Sequence, residues 1–248
     1  MSPQPVHLRV KPKDISKLVV TTGDPARTDH LAGMLKDAKL VNTNRGFTTY
    51  TGYYNGNRIT VSTHGVGGPS SAIVFEELRM LGAKAIVRLG STGGMVKGLS
   101  VGDFVIPTGA AYTEGSLRMY VPDGVLPAVP DLDLTRRLVE NCKSEGAKYM
   151  VGLVFSSDAF YSEDVAFLEK WTKRGVISVE MECATLFTLG LLKGFKAASL
   201  LVVSDSLVKE AEKELVPAEK LVPYVEKAGR IVFKALTSQN IRSLVSTG

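Results

Sequence analysis

The chain has 248 residues, 44% of them hydrophobic and 22% charged, with 30 Lys and Arg against 25 Asp and Glu. That length supports one α/β domain with a sizeable core, read as spanning residues 1–248, and the composition excludes a disordered chain. The net charge of +5 is scattered rather than run together, and aromatics make up 7%, which disfavours a nucleic-acid binder and leaves room for a small anionic substrate. Two cysteines, Cys142 and Cys183, make neither a disulfide framework nor a zinc site. The first residues lack the apolar stretch of a signal peptide, and no apolar run approaches the ~20 residues of a bilayer span. No membrane association and a cytoplasmic location are therefore expected.

Leu18 to Thr22 reads as a strand ending at Gly23-Asp24-Pro25. Phe47 to Tyr54 and Arg58 to Thr63 flank Asn55-Gly56, a strong hairpin signal. His64-Gly65-Val66-Gly67-Gly68 is a glycine-rich turn, and Pro69-Ser70-Ser71 opens a helix that stops at Gly82. Ala85 to Leu89 is a strand leading into a turn at Gly90 to Gly94, and Phe104 to Ile106 another strand. Tyr112 to Pro130 shows no clear element, and Asp131 to Glu145 reads as a helix. Val151 to Phe155 is a strand, and Ser162 caps a helix stopping at Gly175. Val176 to Val179 is a strand, Cys183 to Lys193 a helix, Ala198 to Val203 a strand. The tail from Glu210 to Ser238 is helical in pattern, interrupted at Pro217 and Pro223. Strands alternating with helices give an α/β fold with a mixed central sheet flanked by helices.

Val179-Glu180-Met181-Glu182 stands where a strand gives way to a helix, the place where open α/β sheets bind ligands. Two carboxylates beside an apolar thioether suit a ribose diol. Gly23 to Arg27 and Arg88-Leu89-Gly90-Ser91-Thr92 pair glycine-rich backbone with an arginine, which suits phosphate but also suits an ordinary tight turn. A strand arginine such as Arg88 needs an anionic partner if buried. His64 reads as a satisfied structural histidine, or else as a ligand or a base. Ser204-Asp205 ends the last strand and is either a helix cap or catalytic. Phe160 is either packing or a stacking surface.

Taken together and in order, Gly23…Arg27, Arg45, Arg88…Ser91-Thr92, Phe160-Tyr161, Val179-Glu180-Met181-Glu182 and Ser204-Asp205 resemble the hexameric purine nucleoside phosphorylase and uridine phosphorylase family. The resemblance covers nearly the whole chain. It is strongest to archaeal members acting on purine nucleosides and 5′-methylthioadenosine, and it implies the nucleoside phosphorylase-I fold. It implies that Gly23, Arg27, Arg88, Ser91 and Thr92 hold inorganic phosphate, a co-substrate, with no cofactor. Arg45 would reach the phosphate of a neighbouring subunit and His7 that neighbour's ribose 5′ end, in a hexamer built as a trimer of dimers. Glu182 would accept from the ribose hydroxyls, with Met181 against the sugar and Glu180 supporting. Phe160, Val179 and Ser204 would line the base, and Asp205 would protonate it, which requires a raised pKa. The implied reaction is phosphate-dependent cleavage of purine nucleosides. A 5′-methylthioadenosine or uridine phosphorylase and a non-catalytic nucleoside binder are the alternatives.

Two departures bear on the substrate. Uridine phosphorylases carry a glutamine and an arginine shortly after the Phe-Tyr pair. Here Ser162-Glu163-Asp164-Val165-Ala166-Phe167 follows instead. The bacterial purine enzymes have an arginine downstream of the aspartate. This chain has none between Asp205 and Arg230, leaving Lys209 or Lys213 to substitute.

Overall fold

A computed structural model describes residues 4–113, 115–162, 164–208 and 216–238. The strands are β1 (Leu18–Thr22), β2 (Lys36–Asn42), β3 (Thr49–Tyr54), β4 (Asn57–Thr63), β5 (Ala85–Gly94), β6 (Phe104–Tyr112), β7 (Tyr149–Ser156), β8 (Val176–Glu180) and β9 (Lys196–Ser206). The helices are α1 (Pro25–Gly33), α2 (Gly68–Met80), α3 (Leu117–Tyr120), α4 (Leu132–Ser144), α5 (Val165–Thr172), α6 (Cys183–Lys193) and α7 (Ala218–Thr237).

All nine strands of the described residues join one mixed sheet, in the order β2-β3-β4-β1-β5-β8-β7-β6-β9, and β9 returns to pair with β5. Five strands thus close on themselves: β5 runs parallel to β9, β9 antiparallel to β6, β6 and β7 parallel, β7 and β8 parallel, and β8 antiparallel to β5. The other four extend from β5 through β1 as an open wing. The hairpin turns at Asn55-Gly56 as expected, both with positive φ (47° and 74°).

Strands near the centre are apolar on both faces because helices cover both. Val20, Val87, Leu200 and Val202 face a layer made by α1, α4 and α7. Val19, Ile86, Leu201 and Val203 face α2 and α6. Residues one apart on a strand alternate between the two cores, as the pleat requires. A third cluster, Met95, Phe155, Val176 and Val179, is closed by Phe167, Leu168 and Trp171 of α5.

Several elements depart from the sequence reading. Gly90 to Gly94 is not a turn: β5 continues through it, in register with β9 and β8. Asp164, not Ser162, caps α5, its carboxylate accepting from the Phe167 N–H at 2.7 Å. α1 and β2 are additional elements, and α3 interrupts the stretch from Tyr112 to Pro130. In the tail, Pro217 precedes α7 and Pro223 lies within its early turns without ending it. Residues 210–215 of the expected tail helix lie outside the described residues.

Candidate active site

Four strand ends meet around a cavity of about 680 Å³. β1 delivers Gly23, Asp24, Pro25 and Arg27; β5 delivers Arg88, Ser91, Thr92 and Gly93; β8 delivers Val179 to Glu182; β9 delivers Ser204, Asp205 and Leu207; Phe160 and Val66 complete the wall. Gly23, Arg27, Arg88, Ser91, Thr92, Phe160, Val179, Glu180, Met181, Glu182, Ser204 and Asp205 all line this cavity. Arg45 and His7 do not line this cavity.

Arg88 is the pivot. It is buried on the central strand β5, between Thr21 of β1 and Ser199 of β9. Its guanidinium lies back over Gly90, where an added Cβ would stand 1.9 Å from Nη1. Nη2 donates to the Glu182 carboxylate and lies 3.5 Å from Glu180. Nε and Nη1 are buried with no hydrogen bond among the described residues. Buried donors without a partner are costly, so this side of the guanidinium suits an anionic ligand. Burial works against the Arg88 charge, but Glu182 and Glu180 outweigh it and hold its pKa above the ordinary value.

Arg27 sits in the first turn of α1. Asp24 caps that helix, accepting from the Ala26 N–H at 2.9 Å, so its carboxylate is engaged locally. Burial and then the charge of Arg88 lower the Arg27 pKa. Two guanidinium groups that disfavour each other across a cavity are relieved by an anion between them.

The two glutamates have different surroundings. Glu180 accepts from the N–H groups of Glu182 (2.8 Å) and Cys183 (2.9 Å) and from the Ser156 hydroxyl. Its carboxylate fastens the start of α6 to the ends of β7 and β8. Glu182 accepts from Arg88 and from the Gly67 N–H at 2.7 Å. Burial raises its pKa, yet Arg88, His64 and that N–H together hold the carboxyl below its usual range. Gly67 reaches it by a loop with positive φ at Gly65 (74°) and Gly67 (84°). His64 is fully buried beside Phe75, ring centroids 5.4 Å apart, and both its ring nitrogens lack a partner among the described residues. Burial pushes its pKa down to about 4.

Asp205 owes its aim to a bulge. Thr92 pairs with Val203 and Gly93 with Asp205, so Ser204 is an extra residue on β9. The Ser204 hydroxyl lies 2.8 Å from Asp205 Oδ1, a contact that lowers the carboxyl pKa, but burial dominates and raises it. Gly93 leaves the space: a Cβ there would stand 3.1 Å from Asp205 Oδ2 and 3.3 Å from Val179 Cγ1. Thr92 ties its hydroxyl to the Val179 carbonyl at 2.7 Å. Phe160 is half exposed at the rim, edge-on to Tyr161.

Sequence reasoning missed the Gly67 N–H on Glu182, the Ser156 brace on Glu180, and Val66 in the wall. The glycine-rich turn at 65–68 was the available signal for the first and last. Lys209 and Lys213 lie outside the described residues.

The sequence pattern of the Phosphorylase superfamily matches residues 17–237. The chain belongs to the nucleoside phosphorylase family within it. It is 36% identical over 242 residues to a guanosine phosphorylase of Halorubrum lacusprofundi, covering 96% of this chain and 100% of that protein. It is 34% identical over 226 residues to a uridine phosphorylase of Thermococcus kodakarensis, covering 84% of this chain and 81% of that one. It is 37% identical over 204 residues to a DeoD-type purine nucleoside phosphorylase of Yersinia enterocolitica, covering 82% and 85%. This phosphorylase is accordingly a pentosyltransferase with the nucleoside phosphorylase-I fold. No helix among its described residues is long and apolar enough to cross a membrane.

Proposed function

We propose that the enzyme cleaves the N-glycosidic bond of purine nucleosides with inorganic phosphate, giving the free base and a (deoxy)ribose 1-phosphate, without a cofactor. The observation that carries this reading is the meeting of Arg27, Arg88 with its unpartnered donors, Glu182 and Asp205 around one cavity. Arg27, Arg88, Gly23, Ser91 and Thr92 hold phosphate. Glu182, fixed by Arg88 and the Gly67 N–H, accepts from the ribose hydroxyls, with Met181 against the sugar and Glu180 bracing the turn.

N-glycosidic cleavage passes through an oxocarbenium-like sugar. The bound phosphate and the Glu182 carboxylate lie where that positive charge develops, so they stabilise the transition state more than the ground state. Asp205, whose pKa burial raises, donates to the departing base between Val179 and Phe160. The enzyme is an oligomer in this reading, a hexamer in which His7 and Arg45 complete a neighbour's site. That accounts for an exposed arginine held at φ 56° away from its own cavity. A cytoplasmic location fits two buried, unpaired cysteines.

The purine assignment rests on Asp205 and on the missing glutamine and arginine after Phe160-Tyr161. A uridine phosphorylase is the second reading, favoured by the relatives of that name. Base release from inosine, adenosine, 5′-methylthioadenosine and uridine, each with phosphate, separates them. A purine nucleoside is expected to be the best substrate, and uridine as the best would refute the role given to Asp205.

A further inference from the structure

The N-terminal arm is held by one buried carboxylate outside the cavity. Glu77 lies in the last turns of α2, buried, and gathers four groups from the arm. The N–H groups of Val6 (2.9 Å), His7 (3.0 Å) and Leu8 (2.6 Å) converge on its two oxygens, and the His7 Nδ1 lies 2.7 Å from Oε1. Leu8 is wholly buried beneath this knot. Further bonds run from the arm to the turn that carries Arg45. Asn44 Nδ2 donates to the His7 carbonyl at 2.9 Å, and Asn42 accepts from the Arg9 N–H at 3.1 Å while donating to the Phe47 carbonyl at 2.7 Å. The His7 ring stands edge-on to Phe47, centroids 6.1 Å apart.

The chemistry of the acceptor decides the histidine. Three backbone N–H groups converging on the two oxygens favour the ionised carboxylate, which accepts where a carboxylic acid would also have to place a proton. Burial pushes its pKa up, but those donors and the imidazole outweigh burial and hold it below the usual value. An ionised carboxylate only accepts, so Nδ1 must donate to it. In a neutral imidazole the other nitrogen then carries the lone pair. Nε2 bonds to no described residue, and the His7 side chain keeps 23% of its surface accessible. The ring therefore offers an acceptor, and not a donor, to whatever meets this surface.

We propose that Glu77 is a positioning residue that fixes His7 in the Nδ1–H tautomer, and that the Nε2 acceptor so presented selects nucleosides bearing a hydroxyl donor at the 5′ end over those carrying a 5′-thioether or no 5′ group. The selection rests on the reading above, in which His7 meets the ribose 5′ end in a neighbouring subunit; the tautomer claim does not. A hydroxyl gives its proton to Nε2, whereas a thioether has none to give.

The test compares the best purine nucleoside with its 5′-deoxy analogue, as a ratio of kcat/KM values, in the wild type, Glu77→Gln, Glu77→Asp, His7→Ala and the double variant Glu77→Gln/His7→Ala. The wild type is expected to favour the hydroxyl substrate. In Glu77→Gln and in His7→Ala the ratio falls about tenfold, the worth of one hydrogen bond, and in the double variant it falls no further. Glu77→Asp keeps the charge and restores part of the ratio. Equal losses on both substrates in Glu77→Gln would reduce Glu77 to an anchor and overturn the proposal, as would a wild type that does not discriminate. The ¹⁵N spectrum of the neutral His7 ring is recorded on the same protein. A protonated Nδ1 supports the tautomer claim, and a protonated Nε2 overturns it. If the wild type cleaves neither nucleoside, the phosphorylase reading fails while the spectrum still decides the Glu77–His7 claim.

Discussion

Gly90→Ala adds a single methyl group, yet the geometry predicts a large effect. The residue lies in β5 without a positive φ, so alanine fits the backbone. The new Cβ would stand 1.9 Å from Arg88 Nη1 and 2.4 Å from Cζ. Ordinary contacts begin near ~3.5 Å, so the guanidinium has to move by roughly 1.5 Å or more. It has little freedom, because Glu182 and Glu180 hold Nη2 in a buried site. Breaking a buried ion pair costs about 3–5 kcal/mol. Removing a strand glycine returns about 0.5–1 kcal/mol. The net loss of about 2–4 kcal/mol corresponds to a Tm lower by roughly 5–15 °C for a chain of this size. Displacing a charged donor from phosphate costs a further ~1.5–3 kcal/mol at the site, or about ten- to a hundredfold in kcat/KM for phosphate. Calorimetry and initial rates over a phosphate titration measure both. A Gly90→Ala enzyme with wild-type Tm and wild-type phosphate kinetics would show that Arg88 is not held where this reasoning requires.

Three other perturbations test separate parts. Asp205→Asn removes the proposed proton donor, so base release should slow by about 10²–10⁴-fold. Because the folded carboxyl is raised, its stabilising contribution is present at low pH and lost as pH rises through the folded value. Wild-type kcat/KM should fall through the same range, and an alkaline limb unchanged in Asp205→Asn would assign it to another group. His64→Gln should flatten the acid dependence of stability. The folded pKa near 4 lies below the unfolded value, so the wild type is stabilised above about 6.5. It should lose roughly 1.4 kcal/mol per pH unit between there and about 4, and an equally steep loss in the variant would contradict burial as the cause. Arg45→Gly relieves a left-handed backbone costing about 1–2 kcal/mol, so Tm should hold or rise while the KM for phosphate increases. An unchanged KM for phosphate would remove Arg45 from the site.

What could be read from the sequence followed the apolar pattern. β1, the Asn55-Gly56 hairpin, β8 and α6 carry local signals strong enough to stand alone. β2 does not: its first five residues are exposed, and it is a strand only because it pairs with β3 at the sheet edge. α1 was masked by its own cap, since Asp24-Pro25 after Gly23 reads equally well as an anion-binding loop and only Thr28, Leu31 and Ala32 are buried. The glycines of β5 suggested a turn, but they are strand positions emptied of side chains. Gly90 makes room for Arg88 and Gly93 for Asp205, a tertiary reason that no local pattern displays. The cavity residues were legible as a set only through the family resemblance, since local pattern left each one equally an ordinary turn, cap or packing residue. The Ser204 bulge and the Glu77 knot join positions far apart in the chain, and spacing alone cannot reveal such pairs.

The central claim is that the anion pocket beside Glu182 supplies the nucleophile. Base release from a purine nucleoside, followed against phosphate concentration with the sugar product identified, tests it most directly. Release that requires phosphate and yields one pentose 1-phosphate per base is the predicted result. Release at the same rate without phosphate, with free pentose as product, would contradict it.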